Sequence, residues 1–381
     1  MQVIDASRPT KAVIDLDALA FNFHSVKTFI GDAVQYLAVV KANAYGHGAV
    51  ECSRRLETEG IDWLGVALPE EGVELREGGI TSPILCLGSF WPGQESLIID
   101  NDLTPVIFGI ESAGSLNAEA ARRGVVVDVH VKIDTGMGRV GVRYDEVEQF
   151  AVELGQFANL NVDGLMTHFA AADDLEQNDF TNRQISRFNW AVEAFKQQGI
   201  VPTYRDLANS PGAIAHSNSL GNMVRLGGVL YGLGGDVLPS GIKTPELKPV
   251  MSVVSEIALV KHVAEGETVG YGRTFAARRE SVIASVPIGY YDGFARNLSN
   301  QGIMIVNGKI APVVGRVSMD WVTIDISEIA GANAGTRVTV IGSEQNISIK
   351  AEDIAAMLST ISYEVTCGIS TRVPRIFEEK I

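Results

Sequence analysis

From Tyr36 to about Leu233 the chain alternates between two hydrophobic patterns. Nearly continuous apolar runs (YLAVVKA, DWLGVA, PILCLG, TPVIF, VVVDVHVKID, VDGLMTHF, YRDLANS and MVRLGGVLY) are separated by stretches in which apolar residues recur at helical spacing. Uninterrupted apolar character marks strands buried on both faces. The helical spacing is plain where Ile185, Phe188, Val192 and Phe195 share one face before Gly199, and where Pro69 opens and Gly78 closes a segment. Eight such βα units predict a (β/α)8 barrel, with an open doubly wound sheet as the alternative. After Thr244 short β-rich runs with glycine turns take over, including IMIVNGKIAPVVG, where Asn307-Gly308 suits a type I′ hairpin. Only Ala351 to Ser359 reads clearly as helix there. The expected organisation is therefore α/β: a TIM-type barrel over residues 1–244 followed by a mainly β domain over 245–381. The N-terminal AVIDLDAL is a strand that either joins the second domain or covers the barrel.

A length of 381 residues agrees with two domains. The 31 basic and 46 acidic residues leave a net charge of -15, which argues against nucleic acid or anionic membrane as a partner. Cys52, Cys86 and Cys367 have no metal-ligand spacing, so reduced packing thiols, a cytoplasmic setting and no metal are expected. The start, MQVIDASRPTKAVID, lacks the apolar core of an export signal, and no apolar run approaches the ~18 residues of a membrane span.

In a (β/α)8 barrel the chemistry sits at the C-terminal ends of the strands. Polar residues gather there: Lys41 ends the first strand, Lys132 and Asp134 the fifth, and His168 the sixth. Asn209 and Ser210 follow on the seventh, and Arg225, Gly227 and Gly228 on the eighth. A lysine at the mouth of an apolar strand is partly desolvated, which lowers its pKa and frees its amine to attack a carbonyl. The ordinary alternative is a lysine that snorkels to the surface. Ser210 and the Gly227-Gly228 pair lie where barrels commonly hold phosphate.

The segment AVVKANAYGHG resembles the cofactor-lysine segment of the alanine racemases, enzymes that use pyridoxal 5′-phosphate (PLP). The resemblance runs from RPTKAVIDLDALAFN to ISTRVPRIF, nearly the whole chain. It implies racemisation of L- and D-alanine, supplying D-alanine for cell-wall precursors. Lys41 would bind PLP and serve one face of the substrate, while Tyr271, in VGYGRTF, would be the opposing base. Tyrosine has an ordinary pKa near ~10 and needs a cationic or hydrogen-bonding neighbour, a role that matches His168 and Arg225. Tyr45, Asn209, Ser210, Gly227, Gly228 and Tyr363 match cofactor contacts. Arg225, in MVRLGG, matches the partner of the pyridine nitrogen; an always-cationic arginine disfavours protonation of that nitrogen and weakens the electron sink, which suits racemisation over transamination.

Arg139, in HVKIDTGMGRVG, matches a holder of the substrate carboxylate, and Lys132 a lysine that can be carbamylated to orient it. Met319 and Asp320, in GRVSMDW, match a second substrate-side segment, and Tyr290, Arg296, Arg316, Asp173 and Ile361 the entrance. The family plan further implies a head-to-tail homodimer in which the partner supplies the tyrosine.

The chain departs from the family pattern at Ser318, where many members have cysteine, at Gly228, where an aliphatic residue is usual, at Tyr291, where alanine is common, and at Thr371, where a larger residue often occurs. These departures leave open a serine or broad-specificity racemase. A PLP-dependent decarboxylase on the same scaffold is a different reaction class, disfavoured by the lack of a cysteine-plus-aspartate pair and by the GYG setting of Tyr271. A non-catalytic PLP-carrier barrel would lack the β domain.

Overall fold

The structure, a computed structural model, describes residues 8–379. The first strand, β1 (Lys11–Asp15), is followed by the barrel strands β2 (Gln35–Val39), β3 (Trp63–Val66), β4 (Ile84–Cys86), β5 (Thr104–Ile107) and β6 (Val127–Asp134). A two-residue β7 (Val142–Arg143) precedes β8 (Leu160–Met166), β9 (Tyr204–Asp206) and β10 (Met223–Leu226). All pairings among them are parallel, and β5 pairs with β6, so β2 to β6 and β8 to β10 close into an eight-stranded barrel. The alternative of an open sheet is thereby excluded.

Local chemistry explains the elements. Pro69 stands at the start of the helix Pro69–Glu77, where its missing N–H leaves no bond unmade, and Gly78 ends it. The helix Asn178–Gln197 buries Ile185, Phe188, Val192 and Phe195 as one face. Inside the barrel, Leu37, Val39, Trp63, Leu85, Val106, Met166 and Met223 form a packed plug. His130 joins it between Trp63 and Tyr204, with ring centroids 5.6 Å from each. Gly164 makes room, since a Cβ there would lie 2.5 Å from the imidazole.

The second unit is rich in strands. β11 (Met251–Glu256) pairs with β1 and with Arg337–Glu344, while Arg375–Glu378 lies parallel to β1 on its other side. The N-terminal strand thus sits inside the second sheet, which settles the two options left by the sequence. Ile303–Val306 and Lys309–Pro312 form the expected hairpin, with Asn307 and Gly308 at φ of 50° and 69°, as a type I′ turn requires. The helix over Ala351–Leu358 is joined by one more, Ser362–Cys367. A short ribbon, Thr268–Val269 against Phe275–Ala276, carries Tyr271 at its tip. Among the described residues no helix is long and apolar enough to cross a membrane.

Candidate active site

The barrel opens at the C-terminal ends of its strands into a cleft of about 670 Å³. Lys41 stands on its wall, two residues beyond the end of β2. The backbone there does something unusual for residues with side chains. Ala42, Asn43, Ala44 and Tyr45 all have φ between 52° and 54°, one turn of left-handed helix. Each such residue costs about 1–2 kcal/mol, so the turn must be held from outside. Ala42 N–H donates to Glu71 Oε1 at 2.7 Å, Ala49 N–H donates to Asn43 Oδ1 at 2.8 Å, and Gly46 N–H donates to Ala42 O at 2.9 Å. Gly46 lies against the backbone of Thr366, where a Cβ would approach to 2.2 Å of the carbonyl oxygen. The clamp fixes the starting point of the Lys41 side chain and turns Tyr45 into the cleft.

Burial, followed by the charge of Arg139, holds the Lys41 amine below the ordinary lysine range, with Glu71 opposing and Arg225 adding to the effect. Burial and then Arg225, Arg139 and Lys41 bring Lys132 down to about 8, against the opposing pull of Asp206. Four basic residues therefore crowd the cleft. Arg139 is exposed and makes no hydrogen bond or ion pair among the described residues, leaving its guanidinium available to an anion.

Arg225 is buried at the cleft floor. Its Nη2 donates to Thr167 O at 2.8 Å and to Leu207 O at 3.3 Å, Nη1 pairs with Asp206 Oδ1, and Nη2 also meets His168 Nδ1 at 3.3 Å. Facing an arginine that only donates, His168 Nδ1 must accept, so the ring is neutral. Burial and then Arg225 push its pKa down to about 2.

The same cleft holds a cradle of small residues and hydroxyls. Gly227 N–H donates to Ser210 Oγ at 2.9 Å, and a Cβ on Gly227 would come within 2.7 Å of the Tyr45 hydroxyl. Asn209 caps the short helix Ser210–Ala215 by accepting from Gly212 N–H at 3.1 Å. Gly228 lies behind the cleft wall under the Tyr363 ring, and a Cβ there would come within 2.5 Å of the Tyr363 hydroxyl. Burial raises the Tyr363 phenol to about 12 and raises Tyr45 as well, so both stay protonated donors. Asp236, which the sequence did not single out, fixes Tyr363: its carboxylate accepts from Ser362 N–H at 2.6 Å and from Ser362 Oγ at 2.7 Å. Hydroxyls, a Cβ-free backbone and a buried arginine on one cleft suit a phosphorylated pyridine compound, and the residues present fit PLP.

The cleft thus unites Lys41, Tyr45, Lys132, Arg139, His168, Asn209, Ser210, Arg225, Gly227 and Tyr363, with Asp173 and Ile361 at its edge. Cys367 also lines it, so of the three cysteines expected to be packing residues only Cys52 and Cys86 are buried. Tyr271, Met319 and Asp320 are not among its lining residues, and neither are Tyr290, Arg296 and Arg316. Tyr271 is 72% exposed, and Asp320 pairs with Arg372 at 2.7 Å. Among the described residues no cluster of metal-ligating side chains occurs.

Two family models match the chain: "Alanine racemase, N-terminal domain" over residues 14–234 and "Alanine racemase, C-terminal domain" over 250–377. The alanine racemase of Halothermothrix orenii is 43% identical over 377 residues, covering 98% of each chain. The structure of alanine racemase from Bacillus anthracis with bound L-Ala-P superposes with a TM-score of 0.92 at 35% identity, covering 98% of this chain and 96% of that one. The alanine racemase from Bartonella henselae with covalently bound pyridoxal phosphate superposes with a TM-score of 0.86 at 27% identity, covering 97% of this chain and 99% of that one.

Proposed function

The chain belongs to the alanine racemase family, a family of PLP-dependent isomerases, and we propose that it interconverts L- and D-alanine with Lys41 and Tyr271 as proton carriers on opposite faces of the substrate. The observation that carries this reading is the cleft itself, where a desolvated amine, a cradle of hydroxyls around a Cβ-free glycine and a buried arginine converge. When bound, PLP supplies an electron sink for the pair left behind by the α-proton. Ser210, Tyr45 and Tyr363 would hold its phosphate by hydroxyl donation, with Gly227 admitting the backbone and Asn209 bracing the turn. Gly228 supports that wall from behind.

The Arg225 guanidinium would partner the ring nitrogen and, being always cationic, would disfavour a proton there. Arg139 would take the substrate carboxylate. The Lys41 Nζ lone pair, exposed by a lowered pKa, accepts the α-proton on one face and returns it in the reverse direction. Tyr271 Oη would do the same on the other face, with His168 and Arg225 as its neighbours there.

Tyr271 is exposed and lies outside its own chain's cleft, which supports a homodimer whose sites are shared head to tail. The same unit exposes Tyr290, Tyr291, Met319 and Trp321, an apolar surface suited to burial against a second copy. Met319 and Asp320 would then meet the substrate side, and Arg296 and Arg316 the entrance. Lys132, whose amine is lowered to about 8 among three other cations, is suited to adding carbon dioxide with loss of a proton, which would place an anion beside Arg139. D-Alanine for cell-wall precursors is the proposed use of the product. Incubation of the purified protein with PLP and L-alanine, read by chiral chromatography, tests the reading: D-alanine should accumulate until the two enantiomers are equal.

A further inference from the structure

Asp206 ends β9 with its side chain fully buried inside the barrel. One carboxylate oxygen, Oδ1, accepts from Arg225 Nη1, while Oδ2 has no hydrogen-bond partner. The strand register explains the meeting. Asp206 pairs with Met223 across β9 and β10, which sets Arg225 two residues further along the same inward face. On its other side Asp206 is level with Met166, which is itself level with Lys132 on β6. The carboxylate therefore lies under the cleft floor, in contact with Arg225 and on a level with Lys132.

An acidic group with one oxygen unpaired in a packed interior is expensive unless charge offsets it. Burial raises the Asp206 carboxyl, and Arg225 and then Lys132 oppose that rise. The groups facing Lys132 are Arg225 on β10, Arg139 on the loop after β6, Lys41 after β2, His168 after β8 and Asp206 on β9. Asp206 is the one acidic group among them. It also fixes orientation: Asp206, Thr167 and Leu207 engage Nη1 and Nη2 of Arg225, leaving Nε without a hydrogen bond among the described residues.

We infer that Asp206 is a positioning residue, which fixes the Arg225 guanidinium with Nε free and lowers the positive potential that Arg225 and Lys132 present to the cleft. The inference rests on the reading of Arg225 as the partner of the cofactor ring. Removing the carboxylate charge should disfavour protonation of every amine nearby, whatever the protein turns over.

The test compares purified holoenzyme with its Asp206→Asn, Asp206→Glu and Asp206→Ser variants by competitive acetylation with acetic anhydride across pH, in buffer freed of carbon dioxide. Peptide mass spectrometry reads the modification of Lys132. In Asp206→Asn the midpoint should fall by about half a unit or more, roughly threefold in reactivity below the midpoint, and the pH at which the visible absorbance of bound PLP changes should fall with it. Asp206→Glu, which keeps the charge, should stay near wild type. Asp206→Ser, small and neutral, makes the same comparison if the asparagine variant does not fold. An unchanged Lys132 midpoint in a neutral variant with wild-type circular dichroism overturns the inference. Labelling requires no turnover, so a shifted midpoint in a protein that makes no D-alanine would count against the racemase reading alone.

Discussion

The Nη2 of Arg225 lies 3.3 Å from His168 Nδ1, so the imidazole accepts from the guanidinium and is held neutral. Burial and Arg225 bring its pKa to about 2. His130 and His47, both fully buried, are brought by burial to about 3 and about 4. Each binds fewer protons folded than unfolded below its ordinary value of about 6.5. Stability from these groups is therefore fully present above pH ~6.5 and is lost as pH falls towards each folded value, at about 1.4 kcal/mol per pH unit for each histidine. Urea unfolding of wild type and His130→Gln at several pH values checks this. The slope between about pH 6 and pH 4 should be shallower in the variant, and equal slopes would contradict the account.

Lys41→Ala should lose the visible absorbance of covalently bound PLP and reduce racemisation on the order of 10³-fold or more, as removal of a nucleophile that is also a general base does. Its fold should persist, because the side chain lines a cleft and packs no core. Retention of the wild-type absorbance would remove Lys41 from its role.

Tyr271→Phe should slow racemisation on the order of 10²–10⁴-fold while leaving the melting temperature near wild type, since the substitution keeps the ring and removes only the hydroxyl. In the proposed dimer, a hybrid of one Lys41→Ala chain and one Tyr271→Phe chain has one intact site. Mixing the two inactive variants under exchange conditions should thus restore about a quarter of wild-type activity, because about half the dimers are hybrids and each has one working site of two. No recovery, with exchange verified by native mass spectrometry, would show that the tyrosine acts within its own chain.

Glu71→Ala should destabilise the chain by about 1–3 kcal/mol in urea unfolding and weaken PLP binding, because it leaves the amides of Ala42, Ala67 and Leu68 without their acceptor. The glutamine variant keeps one acceptor oxygen and should retain part of both properties. A Glu71→Ala protein as stable as wild type would mean that the left-handed turn holds itself.

The barrel was legible because its strands are buried on both faces and so read as apolar runs; Val129, Val131 and Ile133 need no partner to announce themselves. The polar residues at the strand ends were legible for the same reason, as exceptions to such runs. The conformation after Lys41 was not. Ala42, Asn43, Ala44 and Tyr45 include no glycine, and only the distant Glu71 and Thr366 make the left-handed turn tenable. Glu71 itself sits in PEEGVELRE, among other acids that face solvent. Asp206 does not stand out in the sequence because a charge in a three-residue strand can point either way. Its signal is parity, since Tyr204 and Asp206 share one face and Arg205 the other, and that face is known to point inward only once β8 and β10 flank the strand. Tyr271 was found by resemblance alone; in one chain it is an exposed turn residue.

The most direct measurement is to incubate the purified protein and PLP with L-alanine in deuterated water and to follow both chirality and α-deuterium by chiral separation with mass detection. The account predicts D-alanine that carries deuterium at the α-carbon, formed with loss of the original proton. Bound PLP with neither deuterium incorporation nor D-alanine would contradict it.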